Sequence, residues 1–230
     1  MKTLGLIGGM SWESTQVYYK LLNEMIRSER GGLHSASLLL HSFDFAEIEA
    51  YQAQGDWRAA TTALCEAAVG LKKAGAECIV ICTNTMHKMA LEVEKASGLP
   101  VLHIADATAR AIQKKALKKP LLLATDYTMK QDFYKGRLRD LHQIHVVIPN
   151  DDDCQKVHDI IYEELCQGIV SQQSKETYID IIKSYQQQGC DGVILGCTEI
   201  GLLIHPSDVT LPLLNTTILH CREAVQFALN

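Results

Sequence analysis

The chain has no apolar run near the roughly 18 residues that a membrane helix needs. It also has no block of five like charges, no low-complexity segment and no linker rich in proline and glycine. The first absence argues against a bilayer span and the second against a nucleic-acid-binding tail. Residues 1–10 carry one lysine and a short apolar stretch that meets Gly8-Gly9, too short for an export signal and without its cleavage pattern. Cofactor and metal motifs are missing as well. There is no GxGxxG, no GxxxxGK[ST] and no HExxH, and Cys78 and Cys82 lack the second close pair that a structural zinc site requires. No lysine stands in the clusters at the strand ends, so a pyridoxal Schiff base is not expected.

Apolar residues make up 47% of the 230 and charged residues 21%, ordinary globular values with enough material for a core. A net charge of −5 and a pI near 6.0 speak against nucleic acid and anionic membranes as partners. Cysteine is plentiful: the eight residues at 65, 78, 82, 154, 166, 190, 197 and 221 are scattered, with no export signal. They are expected to be free thiols in a reducing cytosol, which places the protein in the cytoplasm.

One phrase occurs twice. Residues 75–85 read Gly-Ala-Glu-Cys-Ile-Val-Ile-Cys-Thr-Asn-Thr, and residues 189–199 read Gly-Cys-Asp-Gly-Val-Ile-Leu-Gly-Cys-Thr-Glu. Each is a glycine, a small residue, an acid, a mostly apolar run and a small polar cluster. Setting Gly75 on Gly189 brings Thr83 against Cys197. Leu99-Pro100-Val101-Leu102 and Leu211-Pro212-Leu213-Leu214 then follow, each leading into a helical pattern. Two copies of one unit can face each other across a cleft and present one reactive side chain from each side.

Short apolar strands alternate with amphipathic helices along the chain. Strands are expected at residues 4–7, 37–41, 78–81, 101–104, 121–124, 144–148 and 193–195. Helices are expected at 12–30, 56–74, 87–96, 105–115, 130–141, 151–167, 175–188 and 217–229. This is an α/β pattern with parallel sheets covered on both faces. The subdomain boundaries are expected at 1–98 plus 211–230, and 99–210. Ligands bind at the carboxyl ends of strands in such sheets, where Gly8-Gly9-Met10, Thr83-Asn84-Thr85, Thr125-Asp126-Tyr127 and Cys197-Thr198-Glu199 all fall.

Cys197 follows a strand and precedes a helical start, where backbone N–H groups favour a thiolate. A small apolar core residue is the plainer reading, but the repeat and its polar neighbours weigh against it. Thr83-Asn84-Thr85 offers hydroxyls and an amide to a carboxylate, with Thr85 also suited to cap a helix. Cys82 points away from Thr83 by strand alternation and reads as core. Gly8-Gly9 permits close backbone approach to a small anion, with Met10 lining the pocket. His34, His41, His87 and His103 read as structural histidines, and Asp151-Asp152-Asp153 as a solvated helix start.

The phrases Gly5-Leu6-Ile7-Gly8-Gly9-Met10-Ser11-Trp12-Glu13-Ser14-Thr15, Thr83-Asn84-Thr85-Met86-His87 and Gly196-Cys197-Thr198-Glu199-Ile200 together resemble the aspartate/glutamate racemase family, in its amino-acid racemase branch. The segments at 32–36 and 131–134 fit too, so the resemblance runs the whole length. It implies an α/β fold of two pseudo-twofold-related doubly wound parallel-sheet subdomains, with the active site in the cleft between them. It further implies no cofactor, a homodimer, and an amino-acid substrate, aspartate or glutamate first. The family pattern sets two cysteines as opposed acid and base. Here Cys197 keeps one place, as base on the L side, and Thr83 stands in the other as donor. Many relatives carry a basic residue in the Glu-Glu-x-x-x-Gly helix; residues 163–168 here have none. The resemblance gives substrate contact to Gln52 instead, beside Met10, Asn84, Thr85, Thr198 and Glu199. Two rival readings keep the fold: a catalytically silent amino-acid binder, or hydantoin racemase or malonate decarboxylase chemistry.

Overall fold

A computed structural model describes residues 1–230, which divide into two compact units: Met1–His103 with His220–Asn230, and Ile104–Leu219. The first unit opens with β1 (Leu4–Gly8), α1 (Trp12–Arg30), β2 (Leu38–Ser42), α2 (Phe45–Gln54), α3 (Trp57–Lys73), β3 (Cys78–Ile81) and α4 (Ala90–Ser97). The second holds α5 (Ile104–Lys114), β4 (Pro120–Leu123), α6 (Asp126–Lys130), α7 (Asp132–His142), α8 (Asp151–Asp159), α9 (Gln172–Gln187), β5 (Gly192–Leu195), α10 (Ile200–Leu203) and β6 (Leu213–Asn215). The last helix, α11 (Thr216–Leu229), starts in the second unit, and from His220 onward it belongs to the first.

Each unit has one parallel three-stranded sheet, ordered β2-β1-β3 and β4-β5-β6. A single bridge widens each, Val101 to Ile79 in the first and Val147 to Leu121 in the second. These bridges are all that forms of the strands expected at 101–104 and 144–148. Pro100 in the first and Pro149 after the second cannot donate to a ladder, and Gln143 turns the chain at φ 58°. β6 pairs with β5, Val193 opposite Leu213. The chain therefore stays in the second unit through Leu219, rather than returning at 211.

The repeated phrases fold alike within their own units. Gly75 (φ 104°) and Gly189 (φ 90°) turn the chain out of a helix. The acid that follows ties down the neighbouring strand: Glu77 accepts from the Thr3 N–H at 2.7 Å, and Asp191 from the Lys119 N–H at 2.9 Å. Past the strands, the Cys82 N–H donates to Ile7 at 2.8 Å and the Gly196 N–H to Leu123 at 2.7 Å. Thr83 and Cys197 are the next residues in each copy.

Strand alternation sorts the core. In the first unit Leu4, Leu6, Cys78, Val80 and Cys82 pack with Tyr18, Leu22 and Cys221 on one face. Ile7, Ile79 and Ile81 pack with Met10, Leu64 and Met86 on the other. In the second unit β4 and β5 are buried throughout, within one cluster that also takes in Tyr134, Tyr178 and Cys197. Each buried aliphatic chain is worth about 1.5–3 kcal/mol.

Helix starts follow their capping residues. Ser11 accepts from the Ser14 N–H at 3.3 Å, and Asp56 caps α3 by accepting from the Ala59 N–H at 3.0 Å. The helix expected at 130–141 breaks at Gln131 into α6 and α7. The one expected at 151–167 keeps α-geometry only to Asp159. It then widens into a π-turn at Ile160–Glu164 and tightens at Leu165–Gln167. Glu164, at that distortion, receives the Ser174 hydroxyl on both carboxylate oxygens, at 2.8 and 2.6 Å. α2 was not expected; Asp44 starts it and Gly55 stops it at φ 69°. No helix is long and apolar enough to cross a membrane.

Candidate active site

All the candidate residues but Gln52, which lies on α2, fall at the carboxyl ends of strands, each group inside its own unit. In the second unit Gly196 lets the chain pass close over β4: a Cβ there would lie 2.7 Å from Leu122 Cδ1 and 3.0 Å from the Ala124 Cβ. Cys197 follows, 9% exposed. Its thiol donates to Glu199 Oε2 at 3.0 Å, and the Thr198 hydroxyl donates to the same oxygen at 2.6 Å. Glu199 is 2% exposed. Its carboxylate is thus committed to the thiol and to the hydroxyl beside it.

This geometry reverses the expected thiol electrostatics. Burial pushes the Cys197 thiol well above its ordinary value, and the nearby Glu199 and Cys166 charges and the bond to Glu199 add to the rise. The backbone N–H of Glu199 pulls the other way and is outweighed. The helix that was to favour a thiolate is α10, with only four residues. Cys197 therefore rests protonated, with a proton acceptor 3.0 Å away. Tyr178 donates to the Val157 carbonyl at 3.2 Å, and burial first, then the nearby Glu164 and Glu199 carboxylates, push its hydroxyl well above its ordinary value. Neither Tyr178 nor Cys166 stood out in the sequence, because the Glu164–Cys166 turn and α9 meet Cys197 only in space.

In the first unit Met10 follows β1 and is 4% exposed. Gly9 (φ 80°) has no room for a side chain, since a Cβ would run into the backbone of Phe43. Its N–H donates to the Thr15 hydroxyl at 2.8 Å, which donates on to the Ser11 carbonyl at 2.8 Å. Gln52, on α2 and 5% exposed, points its amide N–H at Met86 Sδ, 3.1 Å away. Asn84 and Thr85 are buried and Thr83 is half-buried. Thr85 does not cap a helix but forms the first residue of a 3₁₀ turn, Thr85–Met89. The Thr83 carbonyl accepts a hydrogen bond from His87 Nδ1 at 2.8 Å. Cys82 is fully buried beside Cys221, its thiol pushed well up by burial. At the fourth strand-end cluster Thr125 caps α6. No group of three or more His, Cys, Asp or Glu is arranged to hold a metal ion.

A profile of the Asp/Glu/Hydantoin racemases matches residues 7–224. The chain belongs to that family. It is an isomerase of the racemase class. A candidate Asp/Glu racemase from Yersinia pestis is 53% identical over the whole of both chains, with a TM-score of 0.93. An aspartate racemase homologue from Pyrococcus horikoshii OT3 is 35% identical over the whole of both, with a TM-score of 0.86. The broad specificity amino-acid racemase of Bacillus subtilis (strain 168) is 26% identical over 163 residues, 71% of this chain and 70% of that one. The whole-length likeness to racemase-related structures extends the match across both units, so the Thr83 and Cys197 clusters both fall inside it.

Proposed function

We propose that this racemase acts on amino acids without a cofactor, taking aspartate, glutamate or a broader set. Cys197 is the base that removes the α-proton of the L enantiomer, and Thr83 is the donor for the other face. The observation that carries this reading is the hydrogen bond from the Cys197 thiol to the buried Glu199 carboxylate. A thiol held up by burial is a poor base until something takes its proton, and Glu199 is placed to do so.

In the forward step Glu199 accepts the thiol proton and the thiolate removes the α-proton; Glu199 gives up the proton it took to solvent as Thr83 draws one back, which resets the site. The electron pair spreads from the α-carbon onto the substrate carboxylate. Asn84, Thr85 and Thr198 supply the hydrogen bonds that stabilise that charge, and Met10 and Gln52 line the substrate. The Thr83 hydroxyl then gives its proton to the other face and is re-protonated by solvent. A threonine alkoxide is too unstable near neutrality to be a strong base, so catalysis is lopsided: thiol chemistry on one side and hydroxyl donation on the other. Enantiomers have equal free energy in water, so kcat/KM must match in both directions and the asymmetry appears only in kcat and KM separately. The same reading takes the protein as a cytosolic homodimer.

The test is α-proton exchange by NMR in D₂O on a panel of L- and D-amino acids, aspartate and glutamate first, with chiral analysis of the products. Exchange with inversion is the expected result. Exchange with retention would leave Cys197 as base and remove Thr83 as donor. No exchange on any amino acid, with the thiols reduced, overturns the reading in favour of a silent amino-acid binder or of hydantoin or malonate chemistry.

A further inference from the structure

The first unit holds a buried column of rings with no part in the proposed proton transfers. His87, His103 and His220 are 3%, 7% and 0% exposed, and Tyr18 is 0% exposed. The His87 ring lies 4.6 Å from that of His103 and 5.4 Å from that of His220, centroid to centroid. Tyr18 stands edge-on to His220 at 5.7 Å. The four residues come from α1, the 3₁₀ turn after β3, the segment after Val101 and α11, so the column ties four pieces of chain together.

The protons in this column are fixed by what their partners can do. A carbonyl oxygen only accepts. His220 Nε2, 2.6 Å from the Leu102 carbonyl, therefore carries a proton, and Nδ1, 2.9 Å from the Tyr18 hydroxyl, accepts one. By the same reasoning His87 Nδ1, 2.8 Å from the Thr83 carbonyl, carries a proton. Burial and the neighbouring His87 push the His220 value down to about 3, so His220 is neutral at any ordinary pH. His220 is thus a neutral ring, and from the same column His87 donates a hydrogen bond to the peptide carbonyl of Thr83.

We propose that His87 is the positioning residue for Thr83: its Nδ1–H fixes the Thr83 peptide plane, and the flanking rings of His103 and His220 hold His87 in place. The second unit fixes its reactive residue by a bond to the side chain itself. The first fixes the backbone beneath the side chain and leaves the Thr83 hydroxyl uncommitted to His87. This rests on the reading of Thr83 as donor. The cost of losing it falls on the step that uses Thr83, not on the step that uses Cys197. Small misplacements of a reacting group are expensive in rate.

Asparagine can place an amide N–H where Nδ1 of the histidine stood, whereas glutamine places its own near Nε2. In His87→Gln, inversion should fall about tenfold or more while exchange with retention at the L substrate persists, so the ratio of retention to inversion rises. His87→Asn should restore most of the wild-type ratio. A merely structural loss would lower both rates together and would not separate Asn from Gln; either result overturns the proposal. Independently of activity, ¹⁵N NMR of the wild-type protein should find His87 protonated at Nδ1, and the Thr83 carbonyl ¹³C shift should move in His87→Gln and return in His87→Asn. A proton on Nε2 alone, or an unmoved Thr83 carbonyl in His87→Gln, overturns it. If the wild-type protein exchanges no α-proton at all, the functional reading fails, and the NMR results still decide whether His87 holds Thr83.

Discussion

The two copies of the glycine–acid–strand phrase share a backbone and differ in how they end. Cys82 and Gly196 donate to the neighbouring strand at 2.8 and 2.7 Å, and Glu77 and Asp191 brace that strand's start in the same way. Past that point the chemistry parts. The Cys197 thiol is nearly buried and hydrogen-bonded to a carboxylate, which supplies a route for its proton. Thr83 is half-buried, and the His87 imidazole grips its carbonyl. A duplicated frame thus delivers two residues to equivalent strand ends, and the groups touching them differ: a carboxylate on the thiol in one, an imidazole on the backbone carbonyl in the other. The pairing of thiol with carboxylate is the costlier arrangement to bury, and the side that bears it is the side assigned the difficult proton.

The sharpest way to break this comparison is to remove the thiol. Cys197→Ser should lower α-proton exchange on L substrates by roughly 10²–10⁴-fold; NMR exchange rates that stay at the wild-type level would end the assignment. Glu199→Gln removes the proton acceptor and keeps the shape. It should cost about 10²-fold near neutrality, with activity that climbs as pH rises toward the raised ionisation of Cys197, where the wild-type profile is flatter. A pH–kcat/KM series on both proteins reads this directly.

Acid should separate the units in stability. His220 is held down to about 3 when folded, against about 6.5 unfolded. The unfolded chain therefore binds the extra proton, and stability in the first unit falls as pH drops from about 6.5 toward 3, by about 3 kcal/mol at pH 4. In the second unit Asp106 is desolvated, but the hydrogen bonds from Arg137 at 2.7 Å and from His142 at 2.9 Å more than offset this and hold its carboxyl below the usual range. That stabilisation is full above about pH 4 and is lost only as pH falls further. Both tryptophans, Trp12 and Trp57, lie in the first unit. The urea midpoint read by tryptophan emission should thus fall between pH 7 and 5, with His220→Asn flattening the trend. An unchanged midpoint in the wild-type protein would contradict a neutral buried His220. The smallest effect should come from making the two ends alike. Thr83→Cys should raise exchange on D substrates about tenfold, bringing the two directions closer in kcat; a drop on both enantiomers would show that the hydroxyl, not merely a donor, is needed there.

Much of the frame was legible in the chain. Unbroken burial marks β1, β3, β4 and β5, because a short, mostly apolar run that ends in a small polar cluster has few other ways to fold. Asp56 announced α3, and the repeated phrase announced two like units, though the turns at Gly75 and Gly189 emerge only in the structure. The strand-end clusters were legible for the same local reason, and with them Thr83 and Cys197. Less visible were the weak edges. Val101 and Val147 each form a single bridge, since a flanking proline breaks the ladder, and the break at Gln131 and the π-turn at Ile160–Glu164 interrupt patterns that read as continuous helices.

The sequence by itself determined the repeated α/β frame and the two residues that it delivers to its strand ends, because strand alternation, capping and glycine turns act over a few neighbouring residues. Tertiary structure alone decided the protonation of those ends. A thiol expected to be ionised rests protonated because folding buries it against Glu199, Cys166 and Tyr178. Tyr18 and His220, 202 positions apart, meet to build the column that holds His87 on Thr83. Titration depends on how much water is removed and on which charges are left nearby, and both are fixed only when distant segments pack together.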